Sequence, residues 1–185
     1  MADLTDIDLT LRAEEGVPLS ANQFDANMQA IENAVNAINA KVNTLVNDND
    51  TYGEMYQADN AVATTVAVAN TWYAVANFSA GHLDDVTFSS NALVLPTAGD
   101  YLFLATVTVT GTTGNEIKIG VGLDGTVDEN HVAETELQST DVQAMTVVGV
   151  VEATAGMALK LYVKNVPATN NVTVVHATVV VRKIH

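Results

Sequence analysis

The residues best suited to chemistry lie between Leu123 and Glu136, in LDGTVDENHVAETE, where Asp124, Asp128 and Glu129 are followed by His131, Glu134 and Glu136. Clustered carboxylates with one imidazole offer the hard oxygen donors that a cation such as Ca²⁺ selects. The spacing does not carry this through. Asp124 is followed at once by Gly125 and the later acids are irregular, unlike the alternating ligands of an EF-hand loop. The expectation is therefore no metal and no cofactor. The remaining histidines are scattered: His82, His176 within an apolar run, and His185. Satisfied or solvent-facing imidazoles account for them. There is no GxSxG or phosphate-loop pattern, and the chain has no cysteine to act as nucleophile or thiolate ligand. A polysaccharide-cleaving enzyme would need two acids facing each other across a cleft, and no pair stands out. The chain reads as a non-enzyme.

Composition narrows the partners. Twenty-two acids against seven Lys and Arg give a formal charge of −15 over 185 residues. A polyanion would be repelled unless a basic patch existed, and none is visible, so neither nucleic acid nor an anionic membrane is an expected partner. The acidity suits solubility or a basic surface on a partner. The absence of cysteine fits assembly in a reducing cytoplasm. The first residues, MADLTDIDLT, lack the basic and apolar regions of a signal peptide, and no apolar run approaches the ~18 residues of a membrane span.

With chemistry set aside, the organising stretch is Pro18 to Leu45. Its apolar residues Phe24, Met28, Ile31, Val35, Ile38, Val42 and Leu45 are spaced by alternating fours and threes, the heptad of a left-handed coiled coil. Met28, Val35 and Val42 take the a positions; Phe24, Ile31, Ile38 and Leu45 take d. β-Branched Ile at d favours three strands over two. The seam spans roughly 40 Å of helix at 1.5 Å per residue, too little to assemble alone, so the downstream body is expected to share the trimer axis. Ser20 as N-cap with Gln23 three residues on forms a capping box, and Leu19 can staple to Phe24. At the other end Asn47–Asp50 should fray the helix, and Gly53 should turn the chain.

Before the helix, Leu4, Ile7, Leu9 and Leu11 recur along an acidic stretch that ends at Gly16 and Pro18, which reads as an extended arm. Such an arm either docks on a partner or folds back as an edge strand on its own helix. After it, the pattern changes to period two. Ile117, Ile119, Val121 and Leu123, and Met157, Leu159, Leu161 and Val163, alternate with other residues and predict half-buried strands. Tyr101–Val109 and Val172–Val181 are apolar or Thr on both faces, and predict strands covered once by the core and once by a neighbour. Turn signals at Gly81, Ser89–Asn91, Pro96–Asp100, Gly111–Gly114, Asp124-Gly125, Ser139–Asp141, Ala155-Gly156 and Asn170-Asn171 divide about ten strands. The expected fold is mainly β: an arm over 1–19, a short trimeric coiled-coil helix over 20–50, and an antiparallel jelly-roll sandwich over 51–185.

Two stretches carry resemblances. DVTFSSNALVLPTAGDYLFLATVTVTG, with Pro96, Gly99, Tyr101 and Phe103, resembles the tumour necrosis factor and complement globular-head jelly rolls. That resemblance extends over about residues 52–185 and implies a homotrimer; it departs from the family in the Ala155-Gly156 turn and in its few aromatics. LTLRAEEGVPLSANQFDANMQAIENAV resembles an N-terminal segment of tailed-bacteriophage structural proteins, through Leu11, Arg12, Gly16, Pro18, Leu19, Ser20, Phe24, Asp25 and Asn27. This second resemblance implies anchoring to the virion.

Together these give an expected function. The chain is read as a homotrimeric virion protein on the outer surface of a tailed phage, in a head-decoration, head-fibre or cement role. Leu4, Ile7, Leu9, Leu11, Arg12, Pro18 and Leu19 would anchor it to a capsid protein, and the C-terminal knob would face outward. The alternative is a short tail fibre or receptor-binding tip, held by a tail or baseplate protein, whose knob recognises a host surface glycan or protein.

Overall fold

In a computed structural model of the protein, residues 20–139 and 141–185 are described, except for the side chains of residues 21 and 44–50. The anchoring-arm residues from Leu4 to Leu19, the Leu19 staple and the side chain of Leu45 therefore lie outside what is described. The chain divides into two compact units, Met1–Asn47 and Asp48–His185.

Among the described residues one helix, α1, runs from Ala21 to Asp50. Its start is the capping box: the Gln23 N–H donates to Ser20 Oγ at 3.3 Å, and the Ser20 N–H donates to Gln23 Oε1 at 2.9 Å. Helix continues through Asn47–Asp50 rather than fraying before it.

The rest of the described chain is antiparallel sheet and its connections. Eleven strands follow in order: β1 Tyr52–Gln57, β2 Tyr73–Ala74, β3 Ser79–Asp84, β4 Thr87–Ser89, β5 Ala92–Val94, β6 Gly99–Thr110, β7 Glu116–Leu123, β8 Thr126–Glu136, β9 Gln143–Ala153, β10 Ala158–Asn165 and β11 Thr173–Lys183. A five-stranded sheet has the order β3-β1-β11-β6-β9, and a second sheet β4-β5-β10-β7-β8, with β2 pairing β10 beside β5. Tyr101 and Phe103, both fully buried on one face of β6, join Met55, Leu93, Ile117, Ile119, Leu159 and Leu161 in the core between the sheets. The Tyr101 hydroxyl donates to the Thr97 carbonyl at 3.0 Å, which satisfies the one polar atom the ring brings inside.

Two expected turns are not turns. Gly53 lies within β1 and Gly81 within β3. A Cβ at Gly53 would sit 2.6 Å from Val86 Cγ1, so this glycine is required by close packing. Where tight turns do form, the backbone takes positive φ: Ser90 and Asn91 at 51° and 59° join β4 to β5, and Asp124 and Gly125 at 47° and 93° join β7 to β8.

Candidate functional site

The heptad residues of the described helix lie along one side of α1. Phe24, Met28, Ile31, Val35, Ile38 and Val42 are 41% to 56% exposed along α1, a continuous apolar stripe. Asp25, Gln29, Glu32 and Asn36 border Met28, Ile31 and Val35 in a shallow groove. Flanks of this kind keep a helix soluble while its stripe stays available to another apolar surface.

A second apolar surface lies on the outer face of the five-stranded sheet, where register sets the side chains in rows. The first row crosses β1, β11, β6 and β9 as Tyr52, Arg182, Leu102 and Val150; the second as Glu54, Val180, Leu104 and Val148. The third is Tyr56, Thr178, Thr106 and Thr146, and the fourth, without β1, is His176, Thr108 and Ala144. Leu102, Leu104, Val148 and Val150 are 41%, 44%, 57% and 43% exposed. The face thus grades from apolar at one end to hydroxyl-bearing at the other. At the hydroxyl end a groove of about 330 Å³ is lined by Glu54, Tyr56, Thr106, Thr108, His176 and Thr178.

The outer face of the other sheet is covered from within the chain. Gly120 and Gly122 of β7 leave room there: a Cβ at Gly120 would meet Val127 Cγ1 at 2.7 Å and Trp72 Cη2 at 3.4 Å, and one at Gly122 would meet the Thr126 carbonyl oxygen at 2.7 Å and Tyr162 Cε2 at 2.9 Å. Lys164 is buried against this layer, with its Nζ 4.4 Å from the centre of the Trp72 ring and 2.9 Å from Glu129 Oε1. Trp72 Nε1 donates to the same Glu129 oxygen at 2.7 Å. These donors, Lys164 first and then Trp72, hold the Glu129 carboxyl below the usual range. Burial pushes the Tyr162 phenol up. β7 and β10, expected to be half-buried, are therefore buried on both faces over much of their length.

The acidic stretch suggested for a cation is the β7–β8 hairpin, and it disperses its acids. Asp124 Oδ1 accepts the Ala158 N–H at 2.9 Å, and Glu134 pairs with Lys118 at 2.6 Å, which raises the lysine's pKa. Asp128 accepts the Asn130 N–H at 2.9 Å and lies 3.0 Å from His131 Nδ1; the Asn130 bond foremost holds its carboxyl below the usual range. Among the described residues no three His, Asp or Glu side chains are grouped to hold a metal ion. His131 instead packs its ring edge-on against Phe103, 6.0 Å between centroids, over Gly149.

Two contributors to the bare sheet face were missed in sequence, Val148 and Val150. The signal was present: MTVVGVV in β9 is apolar at successive positions, the same pattern that marked β6 and β11 as covered twice.

No family model and no curated protein matches the chain. Solved structures do. Eiger TNF from S. frugiperda superposes with a TM-score of 0.51 at 11% identity, over 73% of this chain and 94% of that one. Murine APRIL at pH 5.0 superposes with a TM-score of 0.51 at 9% identity, over 71% of this chain and 98% of that one. The chain accordingly has the antiparallel jelly-roll sandwich of TNF-type proteins, as the resemblance around Pro96–Phe103 implied. Likeness at these identities speaks to the fold alone.

Proposed function

We propose that the protein is a homotrimeric structural component of a tailed-phage virion, attached through its N-terminal arm to a capsid protein and displaying the sandwich outward. The carrying observation is the capped helix whose heptad stripe is 41% to 56% exposed along its described length. A helix that leaves such a stripe exposed is marginal by itself, and Ile at two d positions suits three strands. The residues from Leu11 to Asn27 that resemble phage anchoring segments supply the attachment. Three arms engaged at once add avidity without any chemistry, which is the mechanics of a decoration or cement protein.

Native mass measurement at micromolar concentration tests the trimer, and a stable monomer or dimer overturns it. Replacing Ile31 and Ile38 by Asn is expected to weaken assembly. Cryo-EM of intact particles tests the location: sandwich density on the head supports decoration, and density only on the tail transfers the reading to a short fibre or receptor-binding tip.

A further inference from the structure

We propose that the groove between the β7–β8 hairpin and the end of β9 is a docking site for an arginine side chain of a basic partner protein, its stem on the apolar floor and its guanidinium on the acidic rim. Three observations lead there.

The first is the floor. The groove has a volume of about 420 Å³ and is walled by strands of both sheets. Leu123, Val151 and Met157 line it, packed against the core yet partly exposed, and Val150 lies beside them. An aliphatic stem gains by lying along such a surface when its charged head reaches a counter-ion or water.

The second is the rim. Asp124 and Asp128 line the hairpin wall and Glu152 the β9 wall, while among the described residues no Lys or Arg lines the groove. Asp124 and Asp128 each accept a backbone N–H, from Ala158 and Asn130, which sets both carboxylates in place before a partner arrives. Glu152 stands directly opposite Asp100 in the β6–β9 ladder, and like charges so placed repel. Among the described residues neither of those two forms an ion pair. The next row along that face carries Arg182, opposite Leu102. A guanidinium suits the rim better than an ammonium, because its planar fork can meet carboxylates on two walls.

The third decides the occupant. The chain has two arginines of its own, Arg12 and Arg182. Arg182 is not free, and Arg12 is flanked by Asp3, Asp6, Asp8, Glu14 and Glu15, which this rim repels. A second copy of the chain, at a formal charge of −15, is repelled likewise, whereas a basic protein is drawn in. The site needs neither the helix seam nor a particular copy number, and it stands apart from the virion reading.

The test is fluorescence anisotropy of the full chain with a labelled, capped peptide that carries one arginine among alanines and valines. Saturable binding is expected, weakening as salt is added because the rim is exposed. A citrulline peptide, which keeps the shape and loses the charge, should bind about tenfold more weakly or worse, and a lysine peptide more weakly than the arginine one. Glu152→Gln should weaken the arginine peptide about fivefold and Val150→Thr about twofold, each with thermal unfolding like the parent. No saturable binding, an equally tight citrulline or lysine peptide, or binding unchanged by both substitutions together overturns the proposal. Tighter peptide binding by Arg12→Ala would put the chain's own arm in the groove and overturns it as well.

Discussion

The two outer faces of the sandwich solve the same problem differently. Over Gly120 and Gly122 the chain lays Trp72, Tyr162, the Lys164 stem and Glu129, so that face meets water as a finished charged surface. Over β6, β9 and β11 nothing of the described chain covers Leu102, Leu104, Val148 and Val150. Apolar content alone does not separate the two. The difference lies in what lies over the central strands: Gly120 and Gly122 sit beneath Trp72 and Tyr162, whereas Leu102 and Leu104 of β6 stay 41% and 44% exposed. Within one domain, then, one outer face buries its apolar residues beneath its own side chains and the other leaves Leu102, Leu104, Val148 and Val150 half exposed.

The comparison can be broken most severely at Gly122. Gly122→Val places a side chain against the Thr126 backbone, held by the two-residue turn at Asp124-Gly125, and should destabilise the sandwich by about 2–3 kcal/mol in denaturant unfolding. A loss below about 0.5 kcal/mol would show that the cover yields easily. Trp72→Ala should cost about 1–2 kcal/mol through lost ring packing and the lost contact with Lys164. It should leave oligomeric state unchanged; a change there would mean that both faces make contacts.

A pH series sharpens the same point. Glu129, held low by Lys164 and Trp72, and Asp128, held low chiefly by the Asn130 N–H, favour the fold in their charged forms. Their contribution is complete above the ordinary carboxylate range, about 4, and is lost as pH falls through their depressed values. Thermal unfolding of Glu129→Gln should therefore differ from the parent at pH 7 and converge on it in acid. A difference constant with pH would mean that the Glu129 charge is not what the cover uses. The smallest effect is expected on the bare face: Val150→Thr should change unfolding by no more than about 0.5 kcal/mol below the concentration at which copies associate.

Much of this was legible in sequence because its signals are local. The Ser20–Gln23 box placed the helix start, alternation marked β7 and β10, and Pro96 to Phe103 pointed to the jelly roll. What sequence could not supply was what lies over each strand. β7 and β10 read as half-buried because Gly120, Gly122 and Lys164 look like solvent positions, yet Gly120 and Lys164 lie against Trp72 from the distant β2 region and Gly122 lies beneath Tyr162 of the neighbouring strand. β6 and β11 read as covered once by the core and once by a neighbour; among the described residues the core covers their inner face. Gly53 and Gly81 read as turns because a required glycine looks the same whether it relieves backbone strain or a packing clash. The acids of 124–136 read as a cluster because they are close in sequence, while a β hairpin sends them to different partners.

The strand order also sets a timetable. β1 pairs with β11, with Tyr52 opposite Arg182, so the first strand of the sandwich waits on its β11 side until the last has been synthesised. The β7–β8 hairpin needs no such wait. On the ribosome, the self-covered side can begin to form while β11, which supplies Val180 to the bare patch, is still being made. The five-stranded sheet is thus complete only on a finished chain, with β11 filling the place between β1 and β6 last.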